Sequence, residues 1–385
     1  MLRMSRFALL FLLWPFTVAA QTADLIVEKK TFELPSYTTV AGATIKNVKI
    51  GWEAAGTLNA DKSNAILIAH FFSGTSHAFG KYKKEDKTAG YWDYLVGPGK
   101  AIDTNKYYVL SSDTLVNLNV NAPNVVTTGP ASINPDTGKP YGMSFPVVSI
   151  KDFVRVQKAL IDSLGIKKLH AVMGASMGGL QTYEWAASFP DAVGRIVPVI
   201  ASPGGDPFLI AWLDMWAAPI KLDPNWNNGD YYGGKPPMEG LKAALKAVTL
   251  QANHWEWATK AYGMAPAEEG KDPAAAFDNK YKVQAALETI AAARAATSDA
   301  NSLLYLVKAN QLANADPAKI KTPTLILYAP NDLIFYAQYV EDGAKKIAAG
   351  GTQVETAQLP GPYGHVNGVV GVGQQSEKLK AFLEK

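Results

Sequence analysis

Residues 170–181 read His-Ala-Val-Met-Gly-Ala-Ser-Met-Gly-Gly-Leu-Gln: a short apolar strand, a tight turn with serine at its tip, then the start of a helix. No other stretch narrows the fold as much. A strand that turns straight into a helix holds its tip residue in strained backbone and lifts that side chain clear of the sheet. Side chains two residues either side of the tip would strike the adjacent strand and helix, and both places, Gly174 and Gly178, are glycine. The Met177 amide opens the helix and aims its positive end at the space above Ser176. Lys168–Met173 predicts the strand. Met177–Phe189 predicts the helix, with Leu180, Tyr183, Glu184, Trp185 and Ala187 at helical spacing. G-x-S-x-G also occurs by chance; the strand and helix around it make Ser176 a candidate nucleophile.

The rest of the chain supplies a sheet for this turn. Leu25–Leu34 and Thr44–Ala54 predict two antiparallel strands. The unbroken apolar run Ala65–Ala69 predicts a buried central strand. It leads into His70-Phe71-Phe72-Ser73-Gly74-Thr75-Ser76-His77, where a backbone N–H near Phe72 (or Phe71) is the candidate second donor to an oxyanion. Strand-end histidines usually bond backbone, and His70 and His77 are read that way. Lys106–Ser112 is a further strand, and Leu115–Pro146 a loop of a length that tends to be functional or disordered. Ser149–Leu164 is a helix with a Ser149/Asp152 capping box. Arg195–Ala201 is the next strand. Strands alternating with helices argue for a mostly parallel, doubly wound α/β sheet.

From Ser202 the alternation stops. Residues 203–318 show no convincing strand but four helical stretches, near Phe208–Trp216, Gly240–Lys260, Ala274–Ala296 and Ser302–Leu312. This predicts a helical cap inserted into a core of residues 21–202 and 319–385. Five of the nine tryptophans fall in it; most are expected in its interior, with one or two lining the wall of an acyl pocket. Strands resume with Pro323–Ala329 and Thr352–Leu359, separated by a helix from about Tyr336 to Ala349, and a last helix runs to Lys385.

Each resumed strand ends in a turn with an ionisable residue. Pro330-Asn331-Asp332 follows the first, and Gly361-Pro362-Tyr363-Gly364-His365 the second. With Ser176 upstream, the order is nucleophile, acid, histidine, each at the C-terminal end of a strand. The assignment is His365 as general base to Ser176 and Asp332 as the group that orients the imidazole. Met177 and Phe72 N–H groups complete an oxyanion hole. His170, inside the elbow strand, and His254, in the cap, are poorly placed for this chemistry.

Composition removes other classes. Net charge is +3 over 385 residues, with lysines and arginines scattered, so nucleic acid is not a partner. There is no cysteine and there are five histidines, which argues against disulfides, a thiol nucleophile or a structural zinc site. No metal or organic cofactor is indicated. Residues 1–20 predict a cleaved leader: Arg3 and Arg6, the apolar run Phe7–Trp14, and Val18-Ala19-Ala20 before the cleavage point. The expected location is periplasmic or secreted, with no integral membrane segment in the mature chain.

Several stretches resemble the homoserine O-acetyltransferases of the α/β-hydrolase superfamily. The elbow with Glu184-Trp185-Ala186, the run Gly90–Thr104 with its Trp92-Asp93 and Gly97-Pro98-Gly99-Lys100, Thr128-Gly129-Pro130, and Pro140–Pro146 all carry the likeness. It extends from about Val48 to the end and is weak in the cap. It implies the α/β-hydrolase fold, a triad at Ser176, Asp332 and His365, and often a homodimer paired through the caps.

Three departures bear on activity. Thr75 stands where that family has aspartate in the oxyanion loop. Val366-Asn367-Gly368-Val369 replaces the family's Asp-Ala-Phe-Leu after the histidine. Leu115–Thr128 lacks the family's glycines. A carboxylate beside the histidine can pair with the amino group of homoserine; Val366 cannot, and an unpaired ammonium costs several kcal/mol. In the cap, Arg294 is the one arginine available for a carboxylate or for CoA phosphates. The expectation is an ester hydrolase acting on a small molecule through an acyl-Ser176. The alternatives are an acyl-CoA-dependent O-acyltransferase and a catalytically inactive binding protein.

Overall fold

The computed structural model describes residues 24–385. The predicted leader, residues 1–20, lies outside them. An eight-stranded sheet forms the centre. Its strands are β1 (Lys30–Thr38), β2 (Thr44–Ala55), β3 (Ala65–Ala69), β4 (Tyr108–Ser112), β5 (Ala171–Ala175), β6 (Ile196–Val199), β7 (Thr324–Tyr328) and β8 (Val354–Gln358). They lie in the order β1-β2-β4-β3-β5-β6-β7-β8. Only the β1–β2 and β2–β4 pairings are antiparallel. β3, β5, β6 and β7 are buried at every position, which is why their sequences are unbroken apolar runs.

Alternate side chains of these strands feed two cores. Leu67, Leu110, Val172, Ile196 and Ile326 point to the face covered by α1 (Ile150–Ser163), α2 (Met177–Ser188) and, further along the chain, the helix Ala337–Ala349. Ile66, Ile68, Val109, Met173 and Leu327 point to the other, covered by the 78–102 segment and the final helix Ser376–Leu383. The period of two along each strand thus builds the three-layer architecture. The capping box at Ser149 and Asp152 is present at the start of α1.

Between β6 and β7 the chain forms five helices: α3 (Pro207–Leu222), α4 (Met238–Ala252), α5 (Trp255–Tyr262), α6 (Lys282–Ala295) and α7 (Ala300–Gln311). Where this cap leaves and rejoins the core, Gly204 and Asn314 form an isolated bridge that closes its base.

Several sequence expectations shift here. The first strand runs Lys30–Thr38, not Leu25–Leu34. Its Pro35 has no N–H to donate, which the outer edge of the sheet tolerates. The predicted helix Gly240–Lys260 is two helices. Asn253 turns extended, and its side chain caps α4 by donating to Thr249 O at 2.9 Å. The stretch Ala274–Tyr281 is not helical: Asp272 accepts from Ala274 N and Asn279 donates back to Asp272 O, local bonds that compete with a helix. The cap tryptophans are not mostly interior. Trp216 is 3% exposed, but Trp212 is 36% and Trp255 66% exposed. Among the described residues no helix is long and apolar enough to cross a membrane.

Candidate active site

The tip of the elbow carries the strain its sequence demands. Ser176 has φ 56° and ψ −118°, a region non-glycine residues rarely occupy, at a cost of order 1–3 kcal/mol. The fold holds it there from both sides. Ser176 N donates to Val199 O of β6 at 2.9 Å, and Ser176 O accepts from Leu180 N at 3.0 Å. The flanking glycines are required by contact: a Cβ on Gly178 would lie 2.1 Å from Ala69 O, and one on Gly174 2.5 Å from the Gly178 carbonyl carbon.

Asp332 and His365 meet across two loops. Asp332 follows β7 and is 3% exposed. Its Oδ1 accepts from Ile334 N at 2.7 Å and Phe335 N at 3.0 Å, the turn-forming use of such a residue. Its Oδ2 lies 2.7 Å from His365 Nδ1. A carboxylate only accepts, so Nδ1 carries the proton and Nε2 keeps its lone pair. His365 sits in the one-turn 3₁₀ helix Gly364–Val366, its ring stacked near Phe335. Asn331 ties the two loops by donating to Gly361 O at 2.9 Å.

Ser176 and His365 line one cavity of about 250 Å³ between core and cap. Among the described residues no hydrogen bond joins them; in the absence of substrate such contacts are often long. Phe71 and Phe72, whose amides are the candidate second donors, both line the cavity. Met177 opens α2 directly after Ser176. The cap supplies Trp216, Val248, Thr249 and Arg294, and Val366 sits on the wall next to His365. Phe72 meets Trp216 edge to face, ring centroids 5.5 Å apart.

The candidate oxyanion loop is anchored at its start and its middle. Gln181 of α2 donates to His70 O at 3.2 Å, and Asn119 to Ser73 O at 2.9 Å. His70 is fully buried, its Nδ1 2.8 Å from Phe71 O, and burial holds its pKa below the ordinary value. His77 does not bond backbone as expected: its Nδ1 lies 3.0 Å from Glu53 Oε2. Glu53 belongs to a buried set that sequence reasoning missed. Lys29 pairs with Glu53 at 2.7 Å, Tyr82 donates to Glu53 at 2.6 Å, and Asp113 accepts from Ser76 N at 2.8 Å. Burial pushes the Glu53 carboxyl up, but His77, Lys29 and Tyr82 together hold it below its usual range. The available signal was a glutamate inside an otherwise buried half-strand. The long Leu115–Pro146 loop is ordered by the same region: Val126 N donates to Asp113 and Asn117 to Gly74 O.

His170 and His254 stay outside the cavity. His170 Nε2 bonds Leu383 O at 2.7 Å and ties the last helix to the sheet. His254 sits at the α4–α5 junction, packed near Gly364. Among the described residues no group of three or more His, Asp or Glu side chains is placed to hold a metal ion.

A serine at a strained strand–helix turn, with an Asp–His pair on two later loops, defines the serine-type α/β-hydrolase architecture. The α/β-hydrolase-fold family model matches residues 127–370. A homoserine O-acetyltransferase of Methanosphaerula palustris is 38% identical over 89% of this chain and 70% of that protein. The chain belongs to the α/β-hydrolase family and, within it, to the homoserine O-acetyltransferase family. Among solved structures, esterase E22 is 46% identical with a TM-score of 0.89, covering 93% of this chain and 100% of that one. The homoserine O-acetyltransferase of Bacillus anthracis is 35% identical with a TM-score of 0.89, covering 94% and 98%. Kinship with acetyltransferases and esterases supports an enzyme of serine-type acyl transfer.

Proposed function

We propose that this chain hydrolyses small carboxylic esters through an acyl-Ser176. His365 Nε2 takes the Ser176 proton as the hydroxyl oxygen attacks the ester carbonyl, then gives it to the departing alcohol. Asp332 keeps the imidazole in the Nδ1–H form and offsets the charge of the imidazolium. The amides of Met177 and Phe72 receive the oxyanion, each such donor worth about 3 kcal/mol. Water then enters, His365 takes its proton, and the acid leaves as Ser176 is reprotonated. The predicted leader fits a periplasmic or secreted enzyme, for which acetyl-CoA is not an expected donor.

Val366 carries the choice of water as acceptor. It lies on the cavity wall beside His365, and among the described residues no carboxylate lines that cavity to receive an amino group. The second reading is O-acetyl transfer from an acyl-CoA to a hydroxyl. The curated relatives favour it: several named homoserine O-acetyltransferase match at 33–38% identity over most of the chain. Taken alone they support transfer better than hydrolysis, while the 46% likeness to esterase E22 supports hydrolysis.

The test is purified protein with p-nitrophenyl acetate in one tube and acetyl-CoA with homoserine in another, each beside Ser176→Ala. Nitrophenol release without CoA release is the expected result. CoA release that requires homoserine would establish the second reading instead.

A further inference from the structure

The cavity holds one feature that neither the triad nor the oxyanion hole uses. Arg294, in the last turn of α6, lines the same cavity as Ser176 and His365. Among the described residues it is, apart from His365, the one ionisable side chain on that lining, whose other members include Phe72, Trp216, Val248, Ile334 and Val369. A guanidinium has five N–H donors. Among the described residues the side chain makes one hydrogen bond, Nη1 to Thr249 Oγ1 at 2.6 Å, and it has no carboxylate partner. That acceptor is neutral, and its own hydroxyl donates to Leu245 O at 2.7 Å.

We propose that Arg294 makes this cavity select esters that carry a carboxylate, which its guanidinium receives. The inference rests on the reading that Ser176 attacks an ester carbonyl. A cation in the last turn of a helix interacts well with the helix dipole, which accounts for a charge at this position. It does not account for the direction of the side chain, since an outward arginine would serve the dipole and keep its water. Turned inward, the guanidinium loses hydration without gaining an anion, and burial lowers its pKa to about 10. A planar fork of unspent donors in an apolar cavity is built for a two-point bond to a carboxylate. The cavity's size and single full cation suit a short monoanion rather than a polyphosphate. With Val366 where an ammonium partner would be needed, the favoured ester is an anion rather than a zwitterion.

The experiment measures kcat/KM for three esters: neutral p-nitrophenyl butyrate, mono-p-nitrophenyl glutarate with the carboxylate on the acyl side, and 4-acetoxybutanoate with it on the alcohol side. The enzymes are the wild type, Arg294→Gln and Arg294→Lys. Arg294→Gln should lower the anionic-to-neutral ratio about tenfold or more for at least one anionic ester, chiefly through KM, with partial recovery in Arg294→Lys. Whichever anionic ester responds tells which side of the scissile bond faces Arg294. Unchanged ratios for both anionic esters in Arg294→Gln would overturn the proposal. A second readout needs no turnover. Glutarate at millimolar concentration should raise the melting temperature of the wild type and not that of Arg294→Gln. If none of the three esters turns over, the hydrolase reading fails by itself, and the glutarate shift then decides the anion site: present in wild type alone, it stands; absent or equal in both, it falls. An arginine that served only to hold α6 against α4 would lower the melting temperature when replaced and leave both ratios unmoved.

Discussion

The floor and the roof of the cavity are made by different means. The floor comes from the sheet. Ser176, Asp332 and His365 each follow a strand, and each is held by hydrogen bonds that leave little freedom: Ser176 N to Val199 O, Asp332 Oδ1 from two amides, His365 Nδ1 to Asp332 Oδ2. The roof comes from helices α3, α4 and α6. It contributes single side chains, Trp216, Thr249 and Arg294, placed by helix packing rather than by turns. The contrast teaches where each property resides. On the proposed reading, reaction chemistry belongs to the rigid element, where geometry is over-determined, and substrate choice to the element whose side chains can be exchanged without moving Ser176.

Substitutions that separate the two regions test this division. Ser176→Ala should cut kcat on p-nitrophenyl acetate about 10⁴-fold or more while leaving the circular dichroism spectrum and the melting temperature near wild type. Retained turnover would remove Ser176 as nucleophile. Asp332→Asn should be nearly as severe, because it favours the wrong imidazole tautomer. On the roof, Trp216→Ala should leave most of kcat and change the preference among acyl lengths, read as kcat/KM for acetate against hexanoate esters. A Trp216→Ala loss as deep as that of Ser176→Ala would break the division of labour.

Stability should divide the same way. Gly178→Ala forces a Cβ to 2.1 Å from Ala69 O, a backbone atom of β3 that cannot yield without moving the sheet. A loss of several kcal/mol, as for other overpacked interior sites, is expected, read as a fall in urea midpoint or failure to recover soluble protein. A milder core effect comes through pH. Burial holds the pKa of His70 below its ordinary value, so the folded state keeps it neutral while the unfolded chain takes up a proton near pH 6.5. Between the two pKa values the unfolded state binds more protons, and stability rises with pH there. The urea midpoint should therefore hold above pH 7 and fall as pH drops below about 6.5. The acid limb should be shallower in His70→Gln, and an identical limb would show that other groups govern it.

Legibility in the sequence follows the same line. β3, the strand preceding Ser176 and β7 were plain, because burial on both faces forces unbroken apolar runs. Gly174, Gly178 and the turns at Asp332 and His365 were plain, because a sharp strand–helix turn admits few residue types. The shift of the first strand was hidden, since an edge strand tolerates Pro35 and lacks the pattern of a buried one. The break at Asn253 was hidden because it depends on one side chain capping Thr249 O. Nothing along the chain marks which way Arg294 turns; that depends on how closely α6 packs on α4. Nor could local pattern join Lys29, Glu53, Asp113 and His77, which four separate segments bring together.

The smallest expected effect lies in a cap loop, and it sharpens the contrast with Gly178. Gly233 sits in the tight turn closed by Gly234 N donating to Tyr231 O at 2.9 Å, and a Cβ there would meet nothing within 4 Å. Its φ is not in the left-handed region, so alanine fits without strain. The main effect of Gly233→Ala is then on the unfolded chain, which has fewer conformations to lose on folding. Stability should rise by up to about 1 kcal/mol, a gain of about 1–3 °C in melting temperature. The same chemical change would thus be severe under Ser176 and slightly favourable in the cap. A marked loss at Gly233 would mean that the roof is held as tightly as the floor, and that its side chains are no freer to vary than the triad beneath them.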